Sequence, residues 1–327
     1  MRSVITQAAH ALVGSQTSMF TIEVQSEMVK RFARAVKAPQ PADPLYSDEP
    51  YAKETKHGVL IAPPTFCTTL YWGLELVDRA NAVLPPYRVA VNGSSDYEFV
   101  RPIRVGDVLT GISRLAELKE RPFREETMLS VTLETEYRDL QGQLVLKARN
   151  TILQIYPPEG QDVKAPPRPA APVPTRGAKP AHPQQRYWED VQVGATVAPY
   201  TIAPGFVELC QFGGASDSYS IIHIDTESAK KLGLPGVVVP ANLKLAYIAN
   251  MLTLWMGDEG VMTSLSCQYR GMDLVTASMT AKGKVTGKRV QDGAHLVDLE
   301  VWVEGEKGQV TTPGKATVRL PKRLALP

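Results

Sequence analysis

The sequence predicts an α+β fold made of two copies of one unit, each an antiparallel sheet wrapped round a long central helix. Three observations carry this. The stretch ASDSYSIIHIDTESAKKLGLPGVVVPA, residues 215–241, has an earlier copy in DPLYSDEPYAKETKHGVLIAPPTF, residues 43–66. Residues 46–53 align without a gap with 223–230, and Tyr46 precedes Pro63 by the same spacing that separates His223 from Pro240. Around both copies the order is the same: strand, helix, motif, apolar helix, then alternating strands. At 327 residues the chain is long enough for two such units.

In the first half, residues 1–156, FTIEV from Phe20 reads as a strand. SEMVKRFARAV reads as a helix, because Met28, Val29, Phe32, Ala33 and Val36 recur at helical spacing. The motif copy follows, with Ser47 or Asp48 as a helix cap and Pro50 in the first turn. Beyond Pro63-Pro64 the apolar pattern predicts one long helix over roughly residues 65–82. Leu129, Val131 and Leu133 alternate with Ser130, Thr132 and Glu134, as in a half-buried antiparallel strand. Gly142-Gln143 marks a hairpin turn before LVLKARNTILQIY.

Residues 157–185 are proline-rich and have no apolar periodicity, which predicts an extended, semi-rigid linker. The second half, residues 186–327, repeats the order. PYTIAP is a strand, FVELCQFGGAS a helix, and the motif follows. The next helix, over residues 242–256, is apolar nearly all round and so must be wrapped on most sides. Val297, Leu299, Val301 and Val303 then alternate with Asp298, Glu300, Trp302 and Glu304. YRGMDLVTASMTA aligns with FVRPIRVGDVLTG, which places Tyr269 opposite Phe99. The two halves are expected to pack as an intramolecular pseudo-dimer with one continuous sheet surface.

Composition excludes several classes. The formal net charge is +2, with no basic stripe and no interleaved aromatics, so no nucleic-acid partner is expected. No apolar run approaches the ~18 residues of a membrane span. Cys67, Cys210 and Cys267 are far apart and odd in number, which argues against a disulfide framework or structural zinc and fits a reducing, cytoplasmic setting. The first twenty residues lack acids but have no strong apolar core, so they are not read as a targeting peptide.

The organisation resembles the MaoC-like acyl dehydratases and hydratases in their two-repeat, double hot-dog form. The resemblance is closest over residues 187–321, in YWEDVQVGATV, ASDSYSIIHIDTESAKKLGLPGVVVP and GKATVRLP. DPLYSDEPYA and IAPPTF resemble the non-catalytic first half of two-repeat members. The family usually has an aspartate five residues before the histidine, where this chain has Ser218. Asp217 stands one residue earlier, where glycine is usual. Ser220-Ile221 replaces an Asn-Pro pair, and Ala241 replaces the glycine after Pro240.

The resemblance implies a hydro-lyase that hydrates a 2-enoyl-CoA or dehydrates a 3-hydroxyacyl-CoA, with R-hydroxyacyl products and with no cofactor beyond the CoA thioester substrate. His223 suits the base, because an imidazole both takes and gives a proton near neutrality. Asp217 or Ser218 would hold the water. A carboxylate could also exchange a proton whereas a hydroxyl only orients, and Asp217 is favoured between them. Asp225 is expected to cap the helix in TESAKKLG, with Gly233 closing it. The helix start after Pro240 offers free N–H groups and a positive dipole end, so Ala241 and Asn242 are the expected enolate-binding donors, with Gly236 close by in a turn. Arg101, Arg104 and Arg270, on the aligned loops, are weaker candidates for CoA phosphates. Tyr46, a phenol of pKa ~10, is a poor base, so the first half is read as inactive and as shaping the acyl pocket. His57 is read as a surface loop residue. A homodimer of pseudo-dimers is left open. Two other readings stand beside this one: a hot-dog thioesterase, which the histidine-centred motif disfavours, and a non-catalytic acyl-CoA-binding or partner-dependent subunit, which the displaced aspartate supports.

Overall fold

The computed structural model describes residues 3–36, 43–158 and 184–323. The first half supplies β1 (Phe20–Glu23), β2 (Val89–Phe99), β3 (Val108–Phe123), β4 (Glu126–Arg138) and β5 (Leu144–Tyr156). The second supplies β6 (Thr196–Ile202), β7 (Val261–Gln268), β8 (Met279–Gln291), β9 (Ala294–Glu304) and β10 (Val310–Arg319). All join one antiparallel sheet in the order β1-β3-β4-β5-β2-β7-β10-β9-β8-β6. Counted outward from the β2–β7 seam, both halves have the same strand order. The seam runs from Ser94 opposite Gln268 to Glu98 opposite Ser264. The continuous sheet surface expected from the duplication is therefore present. Most of the proline-rich stretch, residues 159–183, lies outside the described residues.

The helices are α1 (Gln7–Ala11), α2 (Ser26–Val36), α3 (Pro44–Ser47), α4 (Glu49–Glu54), α5 (Leu74–Asn81), α6 (Phe206–Ser216), α7 (Thr226–Lys231) and α8 (Ala241–Met256). α8 is the core element. Its residues from Leu243 to Thr253 are all buried, as its all-round apolar pattern requires. Three of its buried polar side chains are paired, whereas the buried Tyr247 hydroxyl meets no partner among the described residues. Lys244 Nζ donates to Asp273 Oδ2 at 2.9 Å and to Gly271 O at 2.8 Å. Asn250 Nδ2 donates to Val36 O, at the end of α2, at 2.8 Å. Thr253 Oγ1 accepts from the Tyr46 hydroxyl at 3.3 Å.

The first half differs from the expectation of one helix over residues 65–82. It has a 3₁₀ helix, Pro64–Thr69, then a break, then α5. Two local causes are visible. Thr68 and Thr69 donate their hydroxyls back to Thr65 O and Phe66 O, both at 2.8 Å, and such back-bonding competes with regular helix. Gly73 then takes φ 84, where a Cβ would lie 2.4 Å from Ser113 Cβ. Only glycine fits a left-handed residue in that contact. The break turns α5 onto the outer part of the first half's sheet, where Leu76, Val77 and Ala80 pack with Leu115, Leu129 and Leu133 in a core separate from that around α8.

The N-terminal stretch belongs to this second core. Ala9 is fully buried in it, and Gly14 and Thr17 donate backbone hydrogen bonds to Leu115 O and Ser113 O at 2.8 and 2.9 Å. Among the described residues no helix is long and apolar enough to cross a membrane.

Candidate active site

The motif in the second half folds as a series of capped turns. α6 ends at Asp217, which takes the left-handed conformation at φ 51. The N–H groups of Asp217 and Ser218 both go to Gly213 O. This is how a helix normally terminates on glycine, and aspartate is among the few side chains that tolerate it. Asp217 thus occupies the conformational place of the family's glycine, with its side chain exposed, and Ser218 follows half-buried. Asp225 caps α7 as expected, with Oδ1 accepting from Ser228 N at 2.7 Å. Gly233, at φ 80, closes it, and Leu234 N–H returns to Ala229 O at 3.1 Å.

His223 lies on a single 3₁₀ turn between these two helices. Its Nδ1 is 2.7 Å from Val238 O. A carbonyl only accepts, so Nδ1 carries the hydrogen and Nε2 keeps the lone pair. Val238 is itself held on both sides. Its N–H donates to Ile222 O at 3.1 Å, and residues 237–239 run beside 273–275 through Val239 N to Asp273 O at 2.8 Å and Val275 N to Val237 O at 3.0 Å. Burial pushes the His223 pKa below its ordinary value, and the Val238 carbonyl opposes this.

The segment that anchors His223 continues through Pro240 into α8. Pro240 supplies no side-chain cap. Leu243 N bonds Pro240 O, which leaves the N–H groups of Ala241 and Asn242 as the open donors of the first turn. Both residues are half-buried, whereas the rest of the turn is buried. Gly236 is buried, and an added Cβ would meet nothing nearer than Leu274 Cδ2 at 3.9 Å, so its conformation does not demand glycine.

The first half repeats this frame without the histidine. Ala62 N donates to Ile103 O and Val105 N to Leu60 O, at 2.8 and 2.9 Å, as Val239 and Val275 do in the other half. Tyr46, in the histidine's place, is buried and reaches Thr253 near the end of α8. Burial holds its phenol well above the ordinary range. Asp43 caps α3 through Leu45 N at 3.0 Å. A small cavity of about 40 Å³ adjoins Tyr46, Ile61, Phe99, Thr253 and Met262. A larger one of about 470 Å³ lies between Tyr200, Met251 and Trp255. Neither is lined by His223.

These observations place a neutral, oriented imidazole near a helix start whose first N–H groups are open, in one half of a duplicated sheet. A sequence profile of the FAS1-like dehydratase domain region matches residues 11–148. A UPF0336 protein of Parafrankia sp. (strain EAN1pec) is 32% identical over 140 residues, which is 42% of this chain and 91% of that protein. A solved MaoC-like dehydratase superposes with a TM-score of 0.76 at 21% identity, over 96% of this chain and 100% of that one. This chain belongs with the UPF0336 proteins by sequence, and its fold is that of the MaoC-like dehydratases. The fold is the double hot-dog, shared with a Mycobacterium tuberculosis protein described by that fold, at a TM-score of 0.63 and 11% identity over 97% of this chain and 99% of that one. The UPF0336 relative is little longer than one repeat. The profile match falls on the first half, although the motif resemblance is closest in residues 187–321.

The arginines differ in availability. Arg101 is tied to Asp107 at 2.7 Å and faces Asp139 at 3.6 Å. Arg270 is exposed and donates to the Gln268 amide oxygen at 2.6 Å, and Arg104 is exposed. His57 is half-buried, not a surface residue, and burial lowers its pKa. Among the described residues no cluster of three His, Cys, Asp or Glu side chains could hold a metal ion.

Sequence reasoning passed over two clusters at this site. Lys244 and Asp273 form an ion pair, both nearly fully buried, with Thr311 Oγ1 donating to the same Asp273 oxygen at 2.7 Å. A lysine inside an otherwise apolar helix was the available signal. The second cluster is Ser95, Tyr269 and Asn242, in which the Ser95–Tyr269 contact crosses between the halves and leaves no local pattern in the sequence.

Proposed function

We propose that this chain interconverts 2-enoyl and 3-hydroxyacyl thioesters of CoA, with His223 as the general base. The observation that carries the reading is the Nδ1 hydrogen bond to Val238 O. It leaves Nε2 as a neutral acceptor, and the lowered pKa keeps it unprotonated at neutral pH.

In the hydration direction a water beside Nε2 gives its proton to His223 as its oxygen bonds C3. The C2–C3 π electrons move toward the thioester carbonyl, and the proton returns to C2. The charge that develops on the carbonyl oxygen meets the N–H groups of Ala241 and Asn242 at the positive end of α8. Ser218 orients the water, because Asp217 is committed to ending α6 and faces solvent. The first half, with Tyr46 in the histidine's position, does no chemistry and contributes walls to the acyl site. Arg270 and Arg104 are the exposed cations for CoA phosphates.

A second reading has one observation in its favour. Asp217 is exposed, and among the described residues no carboxylate is hydrogen-bonded to the His223 ring, which suits a chain that binds acyl-CoA without turning it over. Mixing the protein with crotonyl-CoA and longer enoyl-CoAs separates the readings. Loss of the conjugated absorbance without free thiol supports hydration. Release of thiol indicates a thioesterase. Binding with neither change indicates a binding subunit.

A further inference from the structure

Tyr269 stands opposite Phe99 of the first half, so its hydroxyl is a feature of one repeat only. That hydroxyl lies 3.2 Å from Ser95 Oγ, on β2 of the first half, and 3.3 Å from Asn242 Oδ1, in the first turn of α8. A phenol has one hydrogen to donate. When it goes to Asn242 Oδ1, the Ser95 hydroxyl can donate to the phenol oxygen, giving a one-way chain from Ser95 through Tyr269 to Asn242. Ser95 is 2% exposed, so its end of the chain is fixed. Tyr269 is fixed too, since its N–H donates to Gly93 O at 3.0 Å.

The chain sets the carboxamide of Asn242. Its oxygen is turned to Tyr269, so its nitrogen points the other way, and no protein acceptor meets Nδ2 among the described residues. Asn242 is half-buried, while the residues from Leu243 to Thr253 on α8 are buried, so the nitrogen is a prepared donor rather than a packed one. It sits in the same helical turn as the two open backbone N–H groups.

We propose that Asn242 Nδ2 donates a hydrogen bond to the thioester carbonyl oxygen of the bound substrate, and that Tyr269 and Ser95 are positioning residues for it. This rests on the thioester reading of the site given above. The donor adds to the backbone N–H groups of the helix start, and its support spans both halves, so the site is incomplete in either half alone.

Asn242→Asp is the deciding variant. It keeps the oxygen that accepts from Tyr269 and removes the donor, so a purely structural role survives it. Turnover of crotonyl-CoA should fall by ~10²–10³. Tyr269→Phe and Ser95→Ala should fall by roughly 2- to 10-fold, the effect of one hydrogen bond acting through another group. A second measurement does not depend on turnover. Butanoyl-CoA cannot be hydrated, and the vibrational frequency of its carbonyl reports hydrogen bonds to that oxygen. Binding to the wild-type protein should shift the stretch to lower frequency, and Asn242→Leu should reverse part of that shift. Should the wild type shift the stretch yet hydrate no enoyl-CoA, the donor role stands and the hydratase reading fails. An Asn242→Leu protein with the full shift, an Asn242→Asp protein within two-fold of wild type, or a wild type that does not bind butanoyl-CoA would each overturn the proposal.

Discussion

Tyr46 donates its hydroxyl to Thr253 at 3.3 Å, joining the histidine position of the first half to the far end of the helix that serves the second. α8 therefore has one end at His223 and the other against the residue that replaced histidine. The first end offers open N–H donors, and the second is closed by a phenol.

The two positions should respond differently to substitution. His223→Ala is expected to lower turnover by ~10² or more. Tyr46→Phe should leave turnover within a few-fold and cost about 1 kcal/mol of stability through the lost hydrogen bond. Steady-state hydration rates and urea unfolding of both variants check this, and equal losses of rate would contradict an inactive first half.

The acid limb of kcat/KM should lie below the ordinary histidine value of about 6.5, because burial disfavours the charged ring. Stability has the matching sign. The unfolded chain binds the proton more readily than the folded one, so stability is full above the unfolded pKa and is lost as pH falls through the folded one. His57 contributes in the same direction. His223→Gln should thus remove part of the stability loss seen between pH 7.5 and pH 5 in urea titrations.

At the helix end, Asp217→Gly should leave turnover within a few-fold and leave stability unchanged or slightly raised, because glycine takes φ 51 without strain. Asp217→Val should cost about 1–2 kcal/mol. Ser218→Ala is expected to lower kcat more than Asp217→Asn does. The reverse order would return the water-holding role to the carboxylate.

The ion pair under α8 gives a stability test. Lys244→Met leaves Asp273 charged and buried, at a cost of about 3–5 kcal/mol. Adding Asp273→Asn removes that charge while keeping an acceptor for Thr311, and should recover much of the loss. Thermal unfolding of the two single variants and the double variant measures the coupling. Additive losses would show that the pair is not coupled.

The sequence made the elements with strong local signals legible. α2 and α6 match their expected spans, and α8 begins one residue before its own. Asp48 and Asp225 cap the helices they precede. The apolar pattern over residues 65–82 misled, because periodicity does not register the contact between Gly73 and Ser113 or the threonines that bond back onto their own turn. At the site, the histidine and the helix start could be read from the motif. That Asp217, rather than Ser218, takes the left-handed backbone that ends α6 could not. The Ser95–Tyr269–Asn242 chain depends on strands far apart in sequence and became visible only across the seam.

That seam has a consequence for how the protein behaves on dilution. A sheet completed by two separate single-repeat chains would come apart as they became scarce. Here residues 157–185 join the halves covalently, so each meets the other at an effective concentration independent of the amount of protein. Ser95 and Tyr269, one from each half, therefore remain partners at any dilution. Specific activity should be constant where a two-chain assembly would lose it.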